Sequence, residues 1–594
     1  MTARRWLGFS LCASLLLVPI ALFVRPASSG STAPAALQAP HAAPPGATLC
    51  RGAAVVAAAG RGETAPFPLL PGDGPAADGW PPLFDDLGDL SMEIHTREPL
   101  AQAYFNQGLR LGWAFNHAEA ARAFRAAQAL DPDCAMCYWG EALVLGPNIN
   151  SPMFDAAQEP ALAALDTARR LAGEATELEQ DLIAALVQRY APDVERTQLD
   201  QRYATAMAEV AERHSHNDHV LVLYAEARMN LSPWDYWDED GRARPNTAHV
   251  LTTLETVLER APEHAGAIHL YIHAVEASND PGRALPHARR LPALMPGAGH
   301  MVHMPSHIHY RLGLFGEAMA ANRAAVAADE RYFERSPSDP VYRNGYYPHN
   351  LHFLLAAAHM GGDGETAVAA ATQLDAVIDP DFLRRAPALE PLKAAPLLAH
   401  RLFSPPERVL ALPDPGADLA LAHTLWRYAR TAAAAQTGAT VRAQQELAAL
   451  EAYSATADYD AMEAAGVPAT QIATIARHVA RARVAAAGDD FAAAAHAYRA
   501  AIKVEDALPY MEPPYWYHPV RLSLAAALLR DGRIEEARAT LQEAALRTPN
   551  SAWVFFASRE AARMAGDGDA ERHFAAAFDK AWLGGEEEPD LARF

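Results

Sequence analysis

The sequence predicts an all-α protein, a right-handed solenoid of stacked helix–turn–helix units in two arrays. Three observations lead there. Alanine, the best helix former, recurs along all 594 residues. Runs alternating Val, Ile, Thr or aromatics with polar residues, as half-buried strands require, are nearly absent. A pattern also repeats every 34 residues: Pro262 with Pro296, Ala284 with Ala318, His269 with His303, His273 with His307. A two-helix unit of that length cannot bury its apolar face alone, so stacked copies share one core.

Residues 1–29 read as a targeting segment. Arg4 and Arg5 supply positive charge, Trp6 to Val24 is apolar, and Ala27-Ser28-Ser29 offers small residues for cleavage. The same run is long enough for an anchor. The chain is therefore expected to be exported, either periplasmic or secreted, or held on the inner membrane by residues 6–24. Residues 30–95 begin as a Pro/Ala/Gly-rich tether with no pattern able to bury a core. Trp80, Phe84 and Leu87 near its end are expected to cap the first unit.

The first array is placed at 96–381. Its first clear unit, 101–134, carries Tyr104, Gly108, Leu111, Ala120, Phe124, Ala127 and Pro132. The small residues let helices approach, and the aromatics fill the holes between them. Two insertions follow: GPNINSP at 146–152, read as turn chemistry, and SPWDYWDEDGRARPN at 232–246. Clean units are placed at 265–298 and 299–332, and another starts near Pro348. Residues 382–423 are Pro-rich and read as an irregular joint. The second array, 424–594, holds units at 424–457, 475–508, 518–551 and 552–585. The aromatics of PYMEPPYWYHPVR (509–521) are assigned to packing between units.

These units resemble tetratricopeptide repeats over most of 101–585. The resemblance implies a solenoid whose concave groove, lined by the first helix of each unit, takes up a peptide or partner protein. HMPSHIHYRLG (303–313), YYPHNLHF (346–353) and CAMCYWGEALVLGPNIN (134–150) also resemble elements of a group of exported bacterial repeat proteins. That second resemblance supplies fold and no chemistry.

Nothing in such a repeat asks for histidine in the groove. His269 and His273 stand four apart, as do His303 and His307, so each pair shares a helical face. Equivalent positions in adjacent units become neighbours. Four imidazoles are thereby brought to one patch, a ligand set suited to Zn, Cu, Ni or Fe(II). The register places Glu226, His273 and His307 in one row and His269, His303 and His352 in the next, with His349 over His300. Glu276 follows His273 by one turn on the same face. Pro305 disfavours helical angles at Met304, so the helix is expected to begin near Pro305, leaving His300 and His303 on a preceding loop.

Three readings follow. The groove holds a divalent transition metal, which with an open position could activate water or bind oxygen. Alternatively the chain is a periplasmic peptide-binding scaffold without metal or catalysis, or its histidines are buried for structure alone. The net charge of −22, from 72 acidic and 50 basic residues, argues against a nucleic-acid partner. A membrane enters only through an uncleaved N-terminal segment. Cys134 and Cys137 lack a second CxxC to complete a metal site and read as a short disulfide or two packed side chains, with a redox pair or an accessory soft-metal ligand as the alternatives. No GxSxG, HExxH or phosphate-cradling loop occurs.

Cleavage of the leader would make Gly30 or a near neighbour the first residue of the exported protein. N-terminal sequencing checks this, and Met1 recovered in a membrane fraction would select the anchor.

Overall fold

Phe124 shows how the first units stack. In a computed structural model, helices Pro99–Trp113 and His117–Leu130 form a hairpin, and Ala135–Leu145 begins the next. The fully buried Phe124 ring lies between Gly108 and Gly140, where added Cβ atoms would come within 2.7 Å and 2.3 Å of it. Pro99 occupies the first turn, where its missing N–H leaves no bond unmade. The hairpin recurs as Tyr347–Gly361 with Gly364–Val377, and as Ala420–Gln436 with Thr440–Ser454. Further copies pair Ala469–Ala487 with Phe491–Glu505, Val520–Arg530 with Ile534–Arg547, and Ala552–Ala565 with Gly568–Ala581.

The structure describes residues 80–238, 240–336 and 340–594. The targeting segment and the tether up to residue 79 lie outside the described residues. Among the described residues there is no β-strand, only the isolated bridges Asn148–Ser151 and Trp237–Ala243. No described helix is long and apolar enough to cross a membrane. The protein is an all-α solenoid of tetratricopeptide-like hairpins, as its composition and 34-residue period predict.

Three local expectations need correction. The second half of the 265–298 unit is not one helix. Pro281, Pro286 and Pro292 divide it into the short turns Pro281–Ala284, Leu285–Ala288 and Leu291–Leu294. His300 and His303 do not sit on a loop: Met304 keeps helical angles (φ −51°, ψ −37°), so Gly299–His303 runs into Pro305–Arg311. The segment 382–423 is not irregular. It contains Glu390–Phe403, whose Pro391 lies in the first turn, and its apolar residues belong to a core running from Ala318 to Phe594. The other large core gathers Phe84 to Ile308, together with Tyr332, Tyr342 and Tyr346.

The hairpins curl until distant ones touch. Glu119 accepts hydrogen bonds from Tyr332 (3.1 Å) and Ser336 (2.6 Å), joining the first hairpin to helix Phe315–Arg335. The C-terminal hairpins close on the middle of the chain. Asn550 donates to the Leu312 carbonyl (2.9 Å), Trp553 Nε1 to that of His359 (3.1 Å), and the Leu583 N–H to that of Gly361 (2.9 Å). Phe84 and Leu87 are buried as cap residues, and the Asp86 carbonyl accepts from the Gly297 N–H at 2.7 Å. The histidine helices are thus covered, where the sequence suggested an open groove.

Gly140→Ala should lower the thermal midpoint, at a cost of about 1–3 kcal/mol, because the Phe124 ring has no room to retreat. Thermal melting followed by circular dichroism measures this, and an unchanged midpoint would contradict the packing.

Candidate metal centre

Four stretches deliver the histidines. Helix Ala265–Val275 carries His269 and His273 and ends at Glu276. Gly299–His303 carries His300 and His303, and Pro305–Arg311 carries His307. Helix Tyr347–Gly361, entered through the π-turn Tyr342–Tyr346, brings His349. These six imidazoles and Glu276 are almost wholly buried. They fall into two sets, His269/His273/His300 and His303/His307/His349, with the ligand atoms of each set within 4.8 Å of one another.

Hydrogen bonds fix which nitrogen of each ring is available. Trp113 is the last residue of its helix, so its carbonyl has no partner within the helix, and it accepts from His269 Nδ1 at 2.7 Å. Glu276 accepts from His273 Nδ1 through Oε1 (2.8 Å) and from His307 Nδ1 through Oε2 (2.5 Å). Asn322 donates its amide to the Ala318 carbonyl (2.7 Å), which turns its oxygen to His303 Nδ1 at 2.7 Å. In His269, His273, His303 and His307, then, Nδ1 holds the proton and Nε2 presents a lone pair.

Those lone pairs meet. His303 Nε2 and His307 Nε2 are 2.8 Å apart, an arrangement that needs a proton or a cation between them. His269 Nε2 stands 3.1 Å from His300 Nε2. Both separations lie within about half an ångström of the roughly 3.3 Å edge of a tetrahedron with zinc–nitrogen bonds near 2.0–2.1 Å. His273 Nε2 and His300 Nδ1 have no hydrogen-bond partner among the described residues. Neutral imidazole locked through Nδ1 by a carboxylate or carbonyl is how metal-binding histidines are oriented.

Burial pushes His269, His300, His303 and His349 well below the ordinary 6.5, and neighbouring imidazoles push the same way. His273 is lowered by burial against the opposing pull of Glu276. Burial favours protonated Glu276, but His307 and the hydrogen bonds from both histidines prevail and hold it at about 2. Glu512 lies 3.3 Å from His307 Nδ1 and accepts from Tyr510. Burial raises it to about 7, with His307 opposing and Glu276 reinforcing.

Aromatic rings close both sets. Phe115 lies 4.5 Å from His269, 5.6 Å from His300 and 6.1 Å from His273, and Trp234 lies 5.1 Å from His273. Phe353 lies 4.8, 4.6 and 5.1 Å from His303, His307 and His349. Phe115 (φ 56°) and Trp234 (φ 66°) occupy the left-handed region, which is costly for such side chains.

Of the candidates read from sequence, His269, His273, His300, His303, His307, His349 and Glu276 come together. Two do not. Glu226 is held by Asn230 (2.7 Å) and lies 4.0 Å from the buried Arg189 guanidinium, which takes its charge. His352 hydrogen-bonds Tyr517 instead of facing His303, the place His349 fills. That is a register shift of three residues, close to one helical turn. Cys134 and Cys137 form a disulfide in the first hairpin region, outside both histidine sets. Sequence reasoning missed Glu512, Asn322 and the Trp113 carbonyl. Only Glu512 left a signal, as the single carboxylate in an aromatic, Pro-rich segment.

No protein-family model and no curated protein matches the chain. Solved helical-repeat structures resemble it. A human IFIT1 dimer with PPP-AAAA is 12% identical at TM-score 0.29, covering 82% of this chain and 92% of that one. Yeast Tom70 is 12% identical at TM-score 0.25, covering 82% and 90%. The tetratricopeptide domain of P58(IPK) is 14% identical at TM-score 0.18, covering 59% and 91%. Likenesses this distant carry no argument about the histidines.

Acid should unfold the metal-free protein. Besides the histidines of the centre, burial lowers His117 to about 4 and His264, His352 and His359 to about 3. An unfolded chain takes up these protons below about 6.5 while the folded one refuses them. Each such histidine therefore removes up to about 1.4 kcal/mol of stability per pH unit as pH falls. Asp329, Glu390, Glu505 and Glu512, held near 7 chiefly by burial, act the other way, since the unfolded chain sheds their protons first as pH rises. The histidines outnumber them, so the melting midpoint should drop steeply from pH 7 to pH 5. A flat profile would contradict this burial.

Proposed function

We propose that this protein is an exported tetratricopeptide-like scaffold that holds a transition metal, Zn, Cu, Ni or Fe, in its buried histidine centre. One observation carries the reading. Four Nδ1 atoms are engaged by outer acceptors, which turns the Nε2 atoms of His269 and His273 to one imidazole set and those of His303 and His307 to the other, in a water-poor interior. No cysteine enters the sets, which sets thiolate-seeking clusters aside, and Glu276 and Glu512 add carboxylate oxygens beside His307. Export is supported by the charged and apolar start of the sequence and by the Cys134–Cys137 bridge, which suits an oxidising compartment.

Any chemistry at the centre is limited to small molecules. The histidines lie under Phe115, Trp234 and Phe353, so water or dioxygen fits the reading better than a large substrate. A peptide could not use these side chains as a docking surface, because they are fully buried. A peptide or partner protein would have to bind elsewhere on the solenoid.

Protein purified without a tag or chelator should carry stoichiometric metal by elemental analysis. His273→Ala and His307→Ala should each lose metal and keep the helical spectrum, and His307→Gln provides a less disruptive change at the same ring. His287, packed against Tyr271 at 5.7 Å and apart from both sets, is the control. Full-length protein that takes up no stoichiometric Zn, Cu, Ni, Fe or Mn at neutral pH would overturn the reading.

A further inference from the structure

The orientation of Glu276 decides how many ions such a centre takes. Its two oxygens accept from two different rings, His273 through Nδ1 and His307 through Nδ1. The carboxylate therefore stands between these rings. Nε2 lies across each ring from Nδ1, so the two Nε2 lone pairs point away from Glu276 in separate directions. His273 then faces His269 and His300, while His307 faces His303 and His349.

We infer that the centre is two three-imidazole sites, each taking its own ion, with Glu276 as the shared outer carboxylate. This rests on the metal-binding reading above and adds its stoichiometry. A single ion cannot collect both sets. Six ligands on one ion would need neighbouring nitrogens about 3 Å apart, given bonds near 2.1 Å. The ligand atoms come within 4.8 Å of one another only three imidazoles at a time, His269/His273/His300 and His303/His307/His349, and Glu276 stands between the His273 and His307 rings that join the two groups. Each set also has its own aromatic cover, Phe115 with Trp234 over one and Phe353 over the other.

The supporting groups divide the same way. The first site is braced by the Trp113 carbonyl at His269, the second by Asn322 at His303. Only Glu276 serves both. It is a positioning residue: it holds two ligating rings through their Nδ1 protons and places one negative charge between two cations. An ion on His273 Nε2 makes the Nδ1–H a stronger donor and draws the carboxylate toward that ring. The second ion then meets a carboxylate already engaged, and it also meets the charge of the first. The two ions are therefore expected to bind with unequal affinities.

Zinc titration of the full-length, chelator-stripped protein tests this, with bound metal counted by elemental analysis. Wild type should take two zinc ions per chain in two resolved steps. His300→Gln and His349→Gln should each retain one. Glu276→Gln should weaken both steps by about 10–100-fold with an unchanged helical spectrum, and Glu276→Asp should restore part of the loss. Copper(II) loading of wild type needs no variant, and spin counting by electron paramagnetic resonance should give two coppers per chain. One ion per chain, abolished equally by His300→Gln and His349→Gln, would overturn the two-site inference and leave the metal reading standing. No ion at all would overturn both.

Discussion

The centre depends on one buried carboxylate. Glu276 is inaccessible to solvent yet ionised, because His273 and His307 satisfy one oxygen each. An isolated carboxylate in such a place would be very costly, and hydrogen-bonded partners are what make it tolerable. The consequence spreads outward. Fixing both Nδ1 protons fixes both ring planes, and the ring planes set where the lone pairs meet. Remove that charge and the two helices lose the group that holds their imidazoles in register.

Much of the fold was legible in the sequence. Gly108, Phe124 and the 34-residue period specify a hairpin stack through steric fit alone, and steric fit is local enough to read from spacing. The helix limits at 520–530, 534–547 and 552–565 fall inside the units read at 518–551 and 552–585. The His269/His273 and His303/His307 pairs were legible for the same reason. Less local features were not. Whether Met304 tolerates helical angles before Pro305 depends on packing, and His300 turned on that question. The π-turn at Tyr342–Tyr346 precedes the helix whose register was misjudged, so His349 took the place expected of His352, and His352 turned to Tyr517. Glu226 met Arg189, which lies between helices Glu177–Val187 and Arg196–Arg213 where the 34-residue period gives no register.

The first histidine set is covered from turns and insertions, the second from Phe353 on helix Tyr347–Gly361. Phe115 sits in a turn between two helices, and Trp234 in the 232–246 insertion, both in the left-handed backbone region. Trp234 is fastened by its Nε1–H to the Ile149 carbonyl, in the 146–152 insertion, at 2.8 Å. The two insertions thus close on each other over His273. Strained non-glycine residues persist where surrounding contacts over-determine them. Both rings lie against the same histidine set, Phe115 nearest His269 and Trp234 against His273. The segment 509–521 covers the opposite flank, with Glu512 at His307 and Tyr517 at His352.

The proposed ion would couple stability to occupancy. Burying six imidazoles and two carboxylates withdraws polar groups from water, and the metal-free fold must offset that with its apolar cores. His273 Nε2 has no hydrogen-bond partner among the described residues, and the 2.8 Å between His303 Nε2 and His307 Nε2 requires a proton or a cation. A bound cation would satisfy both. A ligand that binds only the folded state stabilises it by mass action. An ion bound there would therefore add to the stability that the apolar cores provide.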